Sequence, residues 1–145
     1  VKKRRRKNKN MKKGIIFSDG GARGNPGPSG IGAVITDEAG VLLAEISEYL
    51  GFGTNNQAEY KALLSALKKA VELGLEEVEC RLDSELVVKQ LNREYKVKNK
   101  ELAPLFLEIH NISLSFKKIS FTHIRREFNK EADRLANEAM DRNKI

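Results

Sequence analysis

Two hydrophobic periods alternate along this chain. Residues 14–18, GIIFS, form a short apolar run that reads as a strand ending at Asp19. The stretch GGARGNPGPSG that follows is expected to be a loop, because its glycines and prolines disfavour a regular element. Residues 32–36 and 41–49 carry two further strand patterns, and Asp37-Glu38-Ala39-Gly40 between them predicts a hairpin turn. Then the period changes. Ala62, Leu63, Ala66, Leu67 and Ala70 recur at helical intervals, Thr54 and Gln57 have capping-box spacing, and Gly74 stands where that helix would stop. A strand is expected over 78–82, and a second helix after Ser84, carried by Leu86, Val87, Gln90 and Leu91. Residues 93–99 read as a loop. Leu102, Leu105, Phe106 and Ile109 mark a third helix, Ile119 and Phe121 a strand, and Ala132, Leu135, Ala136, Ala139 and Met140 a last helix with Asn129 placed as its N-cap. A three-strand meander followed by strands alternating with helices implies an α/β fold. The expected architecture is a five-stranded mixed sheet, three antiparallel strands then two parallel ones, flanked by helices.

Composition narrows the class. A chain of 145 residues, 40% hydrophobic, is long enough for one domain with a real core. No apolar run approaches the roughly 18 residues of a membrane span, and the N-terminus is a block of charge, so a soluble, cytoplasmic protein without a membrane partner is expected. Cys80 is the one cysteine, and its alternation with Val78 and Leu82 marks an ordinary buried strand position. The net charge of +7 is localised: Lys2, Lys3, Arg4, Arg5, Arg6, Lys7 and Lys9 account for it, and without them 20 basic residues face 20 acidic ones. Residues 1–12 read as a disordered basic arm, either a phosphate-binding segment or sequence ahead of a native start at Met11, and 13–143 as the domain proper.

The candidate chemistry is acidic. Asp19 ends the first strand, Glu59 falls in the first turn of a helix, Asp83 ends the fourth strand, and Asp133 lies early in the last helix. Taken singly each has an ordinary reading, since carboxylates suit turns and helix N-termini. Glu59, however, precedes Ala62 and Leu63 by three and four residues and so shares the buried stripe. Asp19 and Asp83 would meet if their strands were neighbours. Buried carboxylates brought together repel unless a proton or cation neutralises them, and oxygen-only ligands select Mg²⁺ or Mn²⁺ over zinc.

Four separated segments, FSDGGARGNPGPSGIGAVI, GTNNQAEYKALLSAL, RLDSELVVKQL and REFNKEADRLANEAM, occur in an order that resembles the type 1 ribonucleases H, from about residue 13 to 140. The form it resembles lacks the basic protrusion, for residues 93–99 are only REYKVKN. The resemblance carries metal-binding carboxylates onto Asp19, Glu59, Asp83 and Asp133. It implies an endonuclease that cuts the RNA strand of an RNA–DNA hybrid with two Mg²⁺ ions, Mn²⁺ substituting, and leaves 5′-phosphate and 3′-hydroxyl ends. Asn25, Asn55, Asn56 and Gln57 would grip the minor groove, with Glu59 on an RNA 2′-hydroxyl, and Thr54 would hold a DNA phosphate. Ser84 and Glu85 stand where relatives place further substrate contacts, Glu85 departing from the amide of some of them. His123 corresponds to a histidine assisting proton transfer or product release, with a structural role as the other reading, and His110 reads as structural. Lys96, Lys98 and Lys100 either supply part of the missing basic handle or are solvated surface. A monomer is expected. The competing readings are a nuclease of the same fold acting on duplex RNA, a non-catalytic nucleic-acid-binding module, and a nucleotide-binding α/β protein, which the absence of GxGxxG spacing disfavours.

Overall fold

The strands and helices follow one another in the order the periodicities predict, and the computed structural model describes residues 12–143. They are β1 (Lys13–Ala22), β2 (Gly27–Asp37), β3 (Leu42–Gly53), α1 (Asn55–Glu72), β4 (Glu77–Leu82), α2 (Glu85–Leu91), α3 (Ala103–Ser113), β5 (Lys118–His123) and α4 (Lys130–Arg142). The sheet order is β3-β2-β1-β4-β5. β2 runs antiparallel to β1 and β3, whereas β4 is parallel to β1 and β5, as the expected mixed sheet requires. The predicted basic arm lies, Lys12 apart, outside the described residues.

One face of the sheet meets α1, α2 and α3 in a single core that includes Ile16, Ile35 and Val78 from strands and Leu63, Leu67, Val87 and Ile109 from helices. Cys80 is wholly buried there, as its strand position suggested, and burial pushes its thiol pKa up. Helix α4 covers the other face, against β2 and β3. Among the described residues no helix is long and apolar enough to cross a membrane.

Three strand ends extend beyond the sequence reading. β1 does not end at Asp19 but continues to Ala22, and β2 begins at Gly27, so most of the expected glycine loop is paired sheet: Asp19 faces Gly32, Gly20 faces Ile31, and Ala22 faces Ser29. Gly24, with φ +87°, still turns the chain in the short loop that remains, but Gly20 in β1 and Gly32 in β2 serve close approach. A Cβ on Gly20 would lie 2.2 Å from the Ala58 carbonyl oxygen, and one on Gly32 would lie 2.1 Å from that of Ala132. Both helices can therefore sit down on the sheet beside the acidic residues. β3 likewise runs past Tyr49 to Gly53, with an irregularity opposite Ser29 and Gly30.

The 37–40 turn and the α1 cap form as read. The 37–40 turn closes by the Gly40 N–H donating to the Asp37 carbonyl at 3.1 Å, while the Asp37 carboxylate accepts from the amides of Ala39 and Val41. The α1 capping box is complete: the Thr54 hydroxyl accepts from the Gln57 N–H at 3.1 Å, and Gln57 Oε1 accepts from the Thr54 N–H at 2.9 Å.

Candidate active site

Parallel pairing of Ser18 with Leu82 brings β1 and β4 side by side, so Asp83, one residue past β4, comes to Asp19. Glu59 reaches the same point from α1, entering its second turn rather than its first. Asp19 and Glu59 are each 9% exposed, and one carboxylate oxygen from each of Asp19, Glu59 and Asp83 lies within 4.8 Å of the others. The Gly20 N–H donates to Glu59 Oε1 at 3.2 Å, fixing the helix carboxylate to the strand. Asp133, in the first turn of α4, faces the same cavity as Asp19. Asp19, Glu59 and Asp133 line a cavity of about 350 Å³ together with Arg23, Asn137 and Arg126.

Burial and like charge dominate the electrostatics. The Asp19 carboxyl is pushed up to about 8, first by burial, then by repulsion from Asp83 and from Asp133, against which the Gly20 N–H works. Glu59 is raised well above the ordinary carboxylate range by burial and then by Asp19 and Asp83, offset in part by the Gly20 N–H and Arg126. A folded chain that holds these oxygens together against their repulsion fits a hard divalent cation, whose charge would replace the proton. All the converging donors are carboxylate oxygens, the set that suits Mg²⁺ or Mn²⁺.

The remaining predicted residues divide into two groups. Asn25 and Asn55 form one unit beside the cavity: Asn25 Oδ1 accepts from the Asn55 N–H at 3.0 Å, and Asn55 Oδ1 accepts from the Ala22 N–H at 2.7 Å. Their oxygens brace the loop against α1, and their Nδ2 donors have no partner among the described residues. Asn56 follows in the first turn of α1, while Thr54 and Gln57 are engaged with each other in the cap. Ser84 caps α2 by accepting from the Val87 N–H, and Glu85 pairs with Lys89 at 3.2 Å. His123 ends β5 opposite Leu82, exposed and outside the cavity lining. His110 contacts Arg93 through Nδ1 at 2.9 Å, a structural placement, and Lys96, Lys98 and Lys100 are exposed.

Asn129 corrects its expected role. It precedes α4 but makes no side-chain cap; its Nδ2 instead donates to the Ser18 carbonyl at 2.9 Å and to Asp83 Oδ2 at 3.2 Å. Tertiary partners outcompete the local cap because Asn129 is 1% exposed, between β1 and the end of β4. Arg126 was not anticipated at all. It lies in a short 3-10 turn, Arg126–Phe128, and enters the cavity; the pair Arg125-Arg126 was the only sequence sign, and nothing local distinguishes the inward arginine from its neighbour.

A three-strand meander extended by two parallel strands, with carboxylates converging where β1 and β4 run together, defines a ribonuclease H-like domain. The reverse transcriptase-like family matches residues 17–139. A bifunctional protein of Mycobacterium tuberculosis is 44% identical over 128 residues, covering 88% of this chain and 35% of that protein. Ribonuclease HI of Halobacterium salinarum is 41% identical over 125 residues, covering 86% and 63%. The crystal structure of RNase H1 from that archaeon superposes with a TM-score of 0.88 at 39% identity, over 90% of this chain and 98% of the other. LC11-RNase H1, from a compost metagenome, solved in complex with an RNA/DNA hybrid, gives a TM-score of 0.85 at 50% identity, over 89% and 97%. The chain belongs to the ribonuclease H family, in its type 1 form. It spans about a third of the mycobacterial relative and 63% of the halobacterial one.

Proposed function

We infer that this chain hydrolyses the RNA strand of RNA–DNA hybrids, leaving 5′-phosphate and 3′-hydroxyl ends. The observation that carries the reading is the buried meeting of Asp19, Glu59 and Asp83, a costly arrangement that a metal-dependent phosphodiesterase needs and a plain binding module does not. The similarity to a protein solved with an RNA/DNA hybrid supports the choice of substrate.

Asp19, Glu59, Asp83 and Asp133 would hold two Mg²⁺ ions, or Mn²⁺ in their place. When bound, such ions supply an activated water for in-line attack and neutralise charge on the departing 3′ oxygen. The protein's part is positioning. Asp19 sits within the rigid β1 ladder, the place from which one ligand can serve both ions, and the Gly20 amide aims Glu59, which also meets the RNA 2′-hydroxyl. Asn129 holds Asp83 against β1. Arg126 brings positive charge to a cavity that must admit a phosphate. The Nδ2 groups of Asn25 and Asn55, with Asn56, meet the minor groove; Thr54 and Gln57 shape that surface through the cap, Thr54 facing a DNA phosphate; Ser84 and Glu85 flank it at the start of α2. His123, exposed at the end of β5, serves product release rather than the chemical step. The domain, 13–143, acts as a monomer in the cytoplasm.

The test is Mg²⁺-dependent cleavage of an end-labelled hybrid, with Asp19→Asn as control and duplex RNA and duplex DNA alongside. Cutting of the hybrid's RNA strand alone, lost in the variant, is expected. Binding without cleavage by the wild type would make the chain a recognition module, and equal cutting of duplex RNA would overturn the substrate assignment.

A further inference from the structure

One polar row on α4 enters the chemistry assigned above only through Asp133. Asp133, Asn137 and Asp141 are spaced four residues apart and so stand on one face of the helix. Arg23, from the short loop between β1 and β2, reaches that face. Its Nη1 donates to Asp141 Oδ1 at 2.6 Å and its Nη2 to Asn137 Oδ1 at 3.2 Å. Asn137 Nδ2 in turn donates to the Asp133 backbone carbonyl at 2.9 Å and to Asp133 Oδ1 at 3.3 Å. Arg23, Asn137 and Asp133 all line the catalytic cavity.

We propose that Arg23 and Asn137 are positioning residues that fix the rotamer and the accepting oxygen of Asp133 for the metal. The inference rests on the reading of Asp133 as a metal ligand. A guanidinium can only donate, so it fixes the Asn137 amide with its oxygen toward Arg23 and its NH₂ toward Asp133. That NH₂ can only donate, so it engages Oδ1 of Asp133 as an acceptor and leaves Oδ2 for the cavity. Without Arg23, only the acceptors of Asp133 itself, its backbone carbonyl and Oδ1, oppose a flip of the amide, and the side chain is free to swing away from the carboxylate. Asp141 completes the device by holding Arg23 in place. The Arg23–Asp141 pair is well exposed, 41% and 61% for the two side chains, so it contributes little to stability and its effect is on orientation. Because Arg23 belongs to the same loop as Asn25, the row also ties the metal ligand on α4 to the loop proposed to grip the hybrid.

Calorimetric titration with Mn²⁺ in the absence of nucleic acid tests this on the full chain, for wild type, Arg23→Ala, Asn137→Ala and the double variant. Loss of such a supporting hydrogen bond is expected to weaken metal binding about 10-fold in Asn137→Ala, with a smaller loss in Arg23→Ala. The double variant should be no weaker than Asn137→Ala alone, since Arg23 acts through Asn137. Melting temperatures should stay within about 3 °C of wild type, as for a surface pair. On the hybrid, the Mg²⁺ concentration for half-maximal rate should rise while KM for the hybrid stays constant. Unchanged Mn²⁺ affinity in both single variants, or additive losses in the double variant, would overturn the proposal. So would a raised hybrid KM at wild-type metal affinity, which would make Arg23 a phosphate contact. A wild type that binds Mn²⁺ but leaves hybrids uncut would sink the proposed activity while the metal titration still decides the role of the row.

Discussion

Replacing Asp19 by asparagine should abolish activity and yet stabilise the metal-free protein at neutral and alkaline pH. The perturbation removes one charge from a site that is 9% exposed and already holds Glu59 and Asp83. The Asp19 carboxyl is raised from 3.8 to about 8, first by burial and then by Asp83 and Asp133. A raised acid favours the folded state where it is protonated. Its contribution is therefore fully present below about pH 4 and is lost as pH rises toward 8, at about 1.4 kcal/mol per pH unit at most. The ceiling at pH 8 is then about 5 kcal/mol, and sharing of the repulsion among the coupled carboxylates brings the expected gain for Asp19→Asn to about 2–3 kcal/mol. The assay is urea unfolding in EDTA, followed by circular dichroism from pH 4 to pH 8.5, reading the difference between variant and wild type. That difference should be near zero at pH 4 and grow with pH; Mg²⁺ should close it by stabilising the wild type more than the variant. A variant less stable than wild type at pH 8 in EDTA, or a difference that does not change with pH, would refute the electrostatic account of the site.

Other outcomes follow from the same geometry. Arg126→Ala should lower kcat by about 100-fold, the order expected for loss of a charge facing the reacting phosphate, whereas His123→Ala should cost much less; steady-state kinetics on the hybrid compares them. Gly20→Ala should destabilise the fold by about 2 kcal/mol or more, because its Cβ would press on the Ala58 carbonyl, and chemical denaturation measures it. Thr54→Ala should lose about 1 kcal/mol of stability through the broken capping box, with Thr54→Ser retaining most of it.

Local physics made much of this protein legible in the sequence. Helical periodicity with a capping box at Thr54 and Gln57 specified α1, the 37–40 turn specified the β2–β3 hairpin, and the change of period separated the antiparallel from the parallel half of the sheet. Glu59 was conspicuous because a carboxylate on a buried stripe is expensive, and that cost is visible in spacing alone. The glycines of β1 and β2 misled for a physical reason: a glycine that turns the chain and one that admits a neighbouring helix look identical until the helix is in place. Asn129 misled likewise, as a helix-start asparagine caps only when no buried carbonyl or carboxylate competes for its side chain. Tertiary structure alone placed Arg126 in the cavity, left His123 outside it, and joined Arg23 to the sequence-distant Asp133 by way of Asn137, since contacts between distant segments follow from how the helices seat on the sheet.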